Sequence, residues 1–272
     1  MPRLPTQLVM TGLTIRRMNP PRPYILAEST WPQVKDAATE VAVLPWGATE
    51  AHGLHLPYAT DNIQCDYLAA EAARLAWEAG AKVVVLPTIP FGVNTGQLDI
   101  ALNMNLNPST QLAILRDVVR VLAHQGIPKL VVLNGHGGND FRQHLRELQA
   151  EFPQVFLSTL NWFRAVDRAA FFRAPGDHAD ALETSAMLHI APELVRPLVP
   201  GSGQARQFRI QALRQGLAWA QREWSQVTTD TAVGDPAEAT AEKGAALLIQ
   251  AAQKIGEFLL DLARADVRDL YE

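Results

Sequence analysis

Leu130-Val131-Val132-Leu133-Asn134-Gly135-His136-Gly137-Gly138 joins four unbroken apolar residues to a glycine-rich loop carrying one histidine. Unbroken apolarity, in place of alternation, marks a strand covered on both faces. Residues 41–44, 83–86 and 155–157 read the same way. Helical patterns separate these runs. Residues 66–79 are alanine-rich and close on Gly80, a residue suited to the position just past a helix end. In the next helix Asn107 is placed to cap, Pro108 suits the first turn, and Leu112, Leu115, Val119 and Leu122 recur at helical spacing. Gly126 and Pro128 stop it, and a third helix over about 140–151 ends before Pro153. Such alternation implies parallel strands joined by crossover helices. The expected fold is α/β, a three-layer α/β/α sandwich with a mainly parallel central sheet.

Beyond Leu160 the pattern loosens. Residues 178–190 begin another helix, 195–231 show no clear period, and 237–265 read as a long final helix. No repeat, low-complexity tract or Gly/Ser-rich linker divides the chain, so residues 1–272 are expected to form one domain.

Composition narrows the partners. The 28 acidic and 24 basic residues leave a net charge of −4, which argues against a general nucleic-acid or anionic-membrane binder. Cys65 is the single cysteine and cannot form an internal disulfide, which suggests a reducing compartment. Residues 8–15 are weakly apolar, are interrupted by Thr11, Gly12 and Thr14, and are followed by Arg16 and Arg17, so they do not read as a secretory signal. The most apolar stretch, 83–93, is broken by Pro87, Pro90 and Gly92 and is too short to span a membrane. A cytoplasmic protein acting on a small molecule is expected.

Polar residues gather in the loops after three of the strands. The first carries Glu50, His52, His55 and Asp61, the second runs from Pro87 to Asn94, and the third carries His136 among Gly135, Gly137 and Gly138. In a parallel sheet these loops leave the same edge, the carboxyl end, where open α/β folds bind ligands. Carboxylate and imidazole together form the ligand set for zinc, manganese or iron. Glu50 and His52 are two residues apart and would point the same way in extended backbone. Taken singly, Glu50 could cap a turn and Asp61 could cap the following helix; together the cluster favours a cation. The glycine loop could instead cradle a phosphate, but it lacks the lysine and spacing of a P-loop, and no Rossmann fingerprint is present. A second cluster, Asp177-His178-Ala179-Asp180 with Glu183, is equally readable as a capped helix start or as part of the same pocket. Trp46 and Trp162 fall near the site edge, whereas Trp77, Trp219 and Trp224 read as core or interface. His124, His144 and His189 sit within helical patterns as packing or surface residues.

Four motifs in order resemble the creatininase (creatinine amidohydrolase) family. They are Glu50-Ala51-His52-Gly53-Leu54-His55-Leu56-Pro57 with Thr60-Asp61, Asn134-Gly135-His136-Gly137-Gly138-Asn139, His178-Ala179 with Glu183-Thr184-Ser185, and Thr231-Ala232-Val233-Gly234-Asp235-Pro236 followed by Ala239 to Gly244. The resemblance implies a two-metal amidohydrolase on a creatininase-like α/β sandwich, assembled as a homo-oligomer and often as a hexamer. It implies Glu50, His52, Asp61 and His136 as metal ligands, with Asp61 bridging two divalent ions (zinc, manganese or iron), and His178 in proton transfer. Glu183 matches an acidic position near the site and is the leading further ligand. The motif departs from creatininase itself, where a carboxylate stands at the position of Gly138 and a tyrosine at that of Gly137. This places the chain in the Gly-Gly branch, disfavours creatinine, and leads one to expect a roomier site for a formamide or cyclic amide. Two rival readings remain at this point, a non-catalytic metal or small-ligand binder and a phosphoester-cleaving metallohydrolase.

Overall fold

The computed structural model describes residues 21–272. Residues 8–15, read above as no secretory signal, lie outside them. The elements run α1 (Trp31–Val34), β1 (Val41–Trp46), α2 (Thr60–Glu78), β2 (Val83–Val85), α3 (Pro108–His124), β3 (Lys129–Asn134), α4 (Arg142–Glu151), β4 (Phe156–Asn161), β5 (Gly176–His178), α5 (Ala181–Ile190), α6 (Gln211–Arg214), α7 (Trp224–Val227), β6 (Val233–Gly234) and α8 (Ala241–Arg264).

The four expected strands form one parallel sheet in the order β2-β1-β3-β4. Side chains along each strand divide between two apolar layers. Val41, Val43, Val131 and Leu133 face α2, α5 and α8, while Ala42, Leu44, Trp46, Leu130 and Val132 face α3 and α4. Both faces of the central strands β1 and β3 are therefore dry, which is why their runs are apolar without alternation, while the outer strand β4 is half-buried and admits Ser158 and Thr159. After β1 the chain crosses to one side of the sheet, and after β3 to the other. The gap between the carboxyl ends of β1 and β3 is thus the switch point of the topology, where open α/β sheets bind ligands.

Several boundaries differ from the sequence reading. Helix α2 starts at Thr60, six residues earlier than expected, so Asp61 belongs to its first turn and Cys65 lies well inside it. Asn107 sits at the start of α3, but its side chain accepts from Asn105 Nδ2 at 3.0 Å and does not cap the helix. His178 ends the short strand β5, and α5 begins only at Ala181 with Asp180 as its cap, accepting from the amides of Leu182 and Glu183. The final helix begins at Ala241, capped by Thr240 through the amide of Lys243.

The C-terminal motif is structural in these contacts. Strand β6 pairs antiparallel with β5 and holds His178 in place. Thr231 Oγ1 accepts from the amide of Gly53 at 3.0 Å and ties the same segment to the first loop. At Gly244 a Cβ would lie 1.9 Å from Ser185 O, so only glycine lets α8 approach α5 this closely.

Candidate metal centre

The first loop, the first turn of α2, the third loop, the end of β5 and the first turn of α5 bring Glu50, His52, Asp61, His136, His178 and Glu183 into one cluster, buried except at Glu183, which is half-buried. Within it the potential ligands fall into overlapping groups whose donor atoms lie within 4.8 Å of one another. One group is Glu50, Asp61 and His136; a second is His52, Asp61 and Glu183; a third is Glu50, His52 and His178. Glu50 and His52, expected to point the same way, share the third group and divide between the first two. Asp61 belongs to both of the first two. Its Oδ1 lies 3.0 Å from His52 Nε2 and its Oδ2 lies 3.2 Å from His136 Nδ1.

Each histidine turns one ring nitrogen to a backbone carbonyl and the other to carboxylates. His136 Nε2 lies 3.1 Å from Val93 O, His52 Nδ1 lies 3.0 Å from Glu50 O, and His178 Nε2 lies 2.9 Å from Ala51 O. A carbonyl only accepts, so those nitrogens carry the hydrogen. In the neutral rings this leaves lone pairs at His136 Nδ1, 2.9 Å from Glu50 Oε1, and at His52 Nε2, 3.0 Å from Asp61 Oδ1 and 3.9 Å from Glu183 Oε2. Glu50 Oε1 and Asp61 Oδ2 are buried without a hydrogen-bond partner. Lone pairs facing lone pairs in a dry site repel unless a cation joins them, and a carbonyl holding the remote ring nitrogen is the usual support for a ligating imidazole. The residues fit divalent cations.

Without a cation, protons take the positive charge. Burial disfavours a charged His52, but Asp61 outweighs it and raises the imidazole to about 10. Burial is likewise overcome at His136 by Glu50 and Asp61, which hold it well above the ordinary range. Burial raises the Glu183 carboxyl to about 8. At His178, burial and then the neighbouring His52 lower the ring.

Sequence reading missed the groups that hold the cluster. Gln97 Nε2 donates to Glu50 Oε2 at 2.6 Å, Gln97 accepts from Asn103 Nδ2, and Asn103 Oδ1 accepts from the amide of Ala51 at 2.8 Å. Glu50 therefore presents only Oε1 to the centre. Asn139 Oδ1 accepts from the amide of Val93 and from Gln111 Nε2, and its Nδ2 donates to Asn134, locking the third loop. Ala179 adopts φ +50°, and its amide donates to Glu183 Oε2 at 2.6 Å, so one strained residue sets both His178 and Glu183. His55 bonds Thr184 Oγ1 at 2.7 Å through Nε2 and braces α5, outside the ligand groups.

The cluster opens into a cavity of about 880 Å³. Trp46 and Trp162 do not line it: Trp46 donates to Phe91 O and packs on Phe141, and Trp162 is buried in the core on the other side of the sheet. Trp219 and Trp224, read as core or interface, do line it, and Trp224 stands edge-on to His178 with centroids 4.9 Å apart. The two glycines differ from each other. A Cβ on Gly137 meets nothing within 4 Å, whereas one on Gly138 would lie 2.3 Å from Val93 O and 2.4 Å from His136 Nε2. Both line the cavity, and Gly138 also permits the close approach that seats His136.

A dry cluster of carboxylates and imidazoles at the switch point of an α/β sandwich defines a candidate metal centre. The family profile described as creatinine amidohydrolase matches residues 27–259. The mycofactocin precursor peptide peptidase of Mycobacterium ulcerans (strain Agy99) is 31% identical over 225 residues, covering 79% of this chain and 80% of that protein. The creatinine amidohydrolase of Pseudomonas putida is 30% identical over 196 residues, covering 62% of this chain and 73% of that protein. A solved structure of a proposed creatinine amidohydrolase from Bacteroides fragilis NCTC 9343 superposes with a TM-score of 0.86 at 40% identity, covering 94% of this chain and all of that one. The chain belongs to the creatininase family, and it is a hydrolase acting on carbon–nitrogen bonds.

Proposed function

We propose that the enzyme cleaves a non-peptide C–N amide bond, a formamide or cyclic amide, using two divalent ions per chain held by Glu50, His52, Asp61, His136 and Glu183. The observation that carries this reading is the division of Asp61, one oxygen to each ligand group. Divalent ions bound there supply Lewis acidity and lower the pKa of water toward neutrality. Two solved creatininase structures at 23% identity, described as Zn-Zn type and as creatininase Mn, share the fold. Zinc, manganese and iron all suit this oxygen and nitrogen set.

The chain's own residues do the rest. Gln97 fixes Glu50 through Oε2, and the carbonyls of Val93 and Glu50 fix the rings of His136 and His52. His178 handles the proton. Its Nε2–H is committed to Ala51 O, which leaves Nδ1 to accept a proton as water attacks the amide carbonyl and to return it to the departing amine. Burial favours the neutral ring that this acceptance requires. Trp224 walls the ring on one side. The mycobacterial relatives are named as peptidases, so a peptide is the second substrate class to test. A homo-oligomer is the proposed assembly, as the resemblance to the family implies.

The roles separate experimentally. Asp61→Asn is expected to lower the content of both ions, whereas His178→Ala keeps the metal and loses on the order of 10²–10⁴-fold in rate. His178 also belongs to the third potential ligand group, so a His178→Ala protein stripped of metal would make it a ligand and overturn the proton-transfer role.

A further inference from the structure

Five basic residues line the cavity: Arg142, Arg164, Arg168, Arg222 and Lys254. Three are neutralised, Arg142 by Asp140 at 2.8 Å, Arg168 by Asp180 at 2.6 Å and Arg222 by Asp177 at 2.6 Å. Among the described residues, Arg164 and Lys254 have no carboxylate within ion-pair distance and no side-chain hydrogen bond. They come from different elements, Arg164 from the turn that follows β4 and Lys254 from α8, and those two elements pack against each other. Phe163, Ile255 and Phe258 line the cavity beside them. An exposed cation on an open surface needs no partner. Arg164 and Lys254 are both exposed where they line the cavity, but beside its apolar walls the field of two unpaired cations still acts on whatever enters.

We propose that this edge of the cavity receives a negatively charged group of the substrate, a carboxylate or a phosphate, at the end remote from the scissile bond. Which end reacts rests on the amidohydrolase reading; the anion site itself does not. Phe163, Ile255 and Phe258 would cover the apolar body between the two ends. A guanidinium fork suits both carboxylate and phosphate, and the ammonium adds a point charge.

The test compares three probes on the purified protein as isolated: formanilide, 4-formamidobenzoate and 4-formamidophenyl phosphate. Their binding is measured by titration calorimetry at low and at moderate ionic strength, and their hydrolysis is followed separately. Both anions are expected to bind more tightly than formanilide. Arg164→Ala combined with Lys254→Ala should weaken the anions by about threefold to tenfold, the range for two partly exposed pairs, and leave formanilide unchanged. Added salt should shrink the contrast. The relative effect on the two anions identifies the preferred group. An equal effect on all three probes, no effect of the double substitution, or no binding of either anion would overturn the anion site. Tight, salt-sensitive binding of the anions with no hydrolysis of any probe would instead sustain the anion site and count against the formamide reading.

Discussion

Asp61 divides its two oxygens between two histidines, and the dry surroundings give that division its force. In the metal-free protein the charge is balanced by protons on His52, held at about 10, and on His136, with a further proton on Glu183, held at about 8. Cations must displace these protons, so loading with zinc at pH 7 in weak buffer is expected to acidify the solution, and metal affinity should rise with pH. The metal-free fold behaves oppositely. Stabilisation from His52 is complete below its ordinary 6.5 and is lost as pH rises through about 10. Zinc titrations that release no protons at pH 7 would contradict this account. The glycine pair gives a second residue-scale prediction. Gly138→Ala should displace the His136 ring and weaken metal binding by about 10–100-fold, while Gly137→Ala leaves metal content unchanged. Equal metal content in the two variants, measured by elemental analysis, would show that the close approach at Gly138 is unimportant.

Among the elements, α5 and α8 matter most to how the site is held. Helix α5 carries Glu183 from its first turn, and α8 buttresses it through the contact at Gly244. A methyl group there meets backbone, which cannot swing aside. Gly244→Ala is therefore expected to cost about 1–3 kcal/mol in urea unfolding and to lower metal content along with stability. Unchanged stability would mean that α8 can shift freely. Strands β1, β2 and β3 were legible because a sheet covered on both faces leaves mainly Val, Leu and Ala along them, whereas the outer strand β4 carries Ser158 and Thr159, is only half-buried and was legible only at its start. The long helices were legible by period, but their starts were not. Helix α2 begins six residues early because Thr60 and Asp61 are buried by the site, a tertiary effect that local propensity does not carry. Residues 195–231 gave no signal because their order comes from contacts: Gln221 bonds Thr95, and the carbonyl of Arg222 lies against Gly96.

Over the whole molecule, the candidate ligand residues were readable as a cluster because their types are rare together and the parallel fold sends their loops to one edge. Glu50, His52, Asp61, His136, His178 and Glu183 do converge there. The second layer was not readable. Gln97 reaches Glu50 across 47 residues, and a glutamine in a polar loop has no pattern that distinguishes it. The same holds for Trp224, which reaches His178 only because its loop folds over the cavity. Among the described residues no helix is long and apolar enough to cross a membrane. The central claim is that paired divalent ions at the switch point carry the hydrolysis. Its most direct test is elemental analysis of the purified protein, with amide hydrolysis assayed on the same sample before and after chelation. The account predicts close to two divalent ions per chain, activity lost in proportion to metal removed, and recovery when metal is returned. Full activity in a preparation free of metal would contradict it.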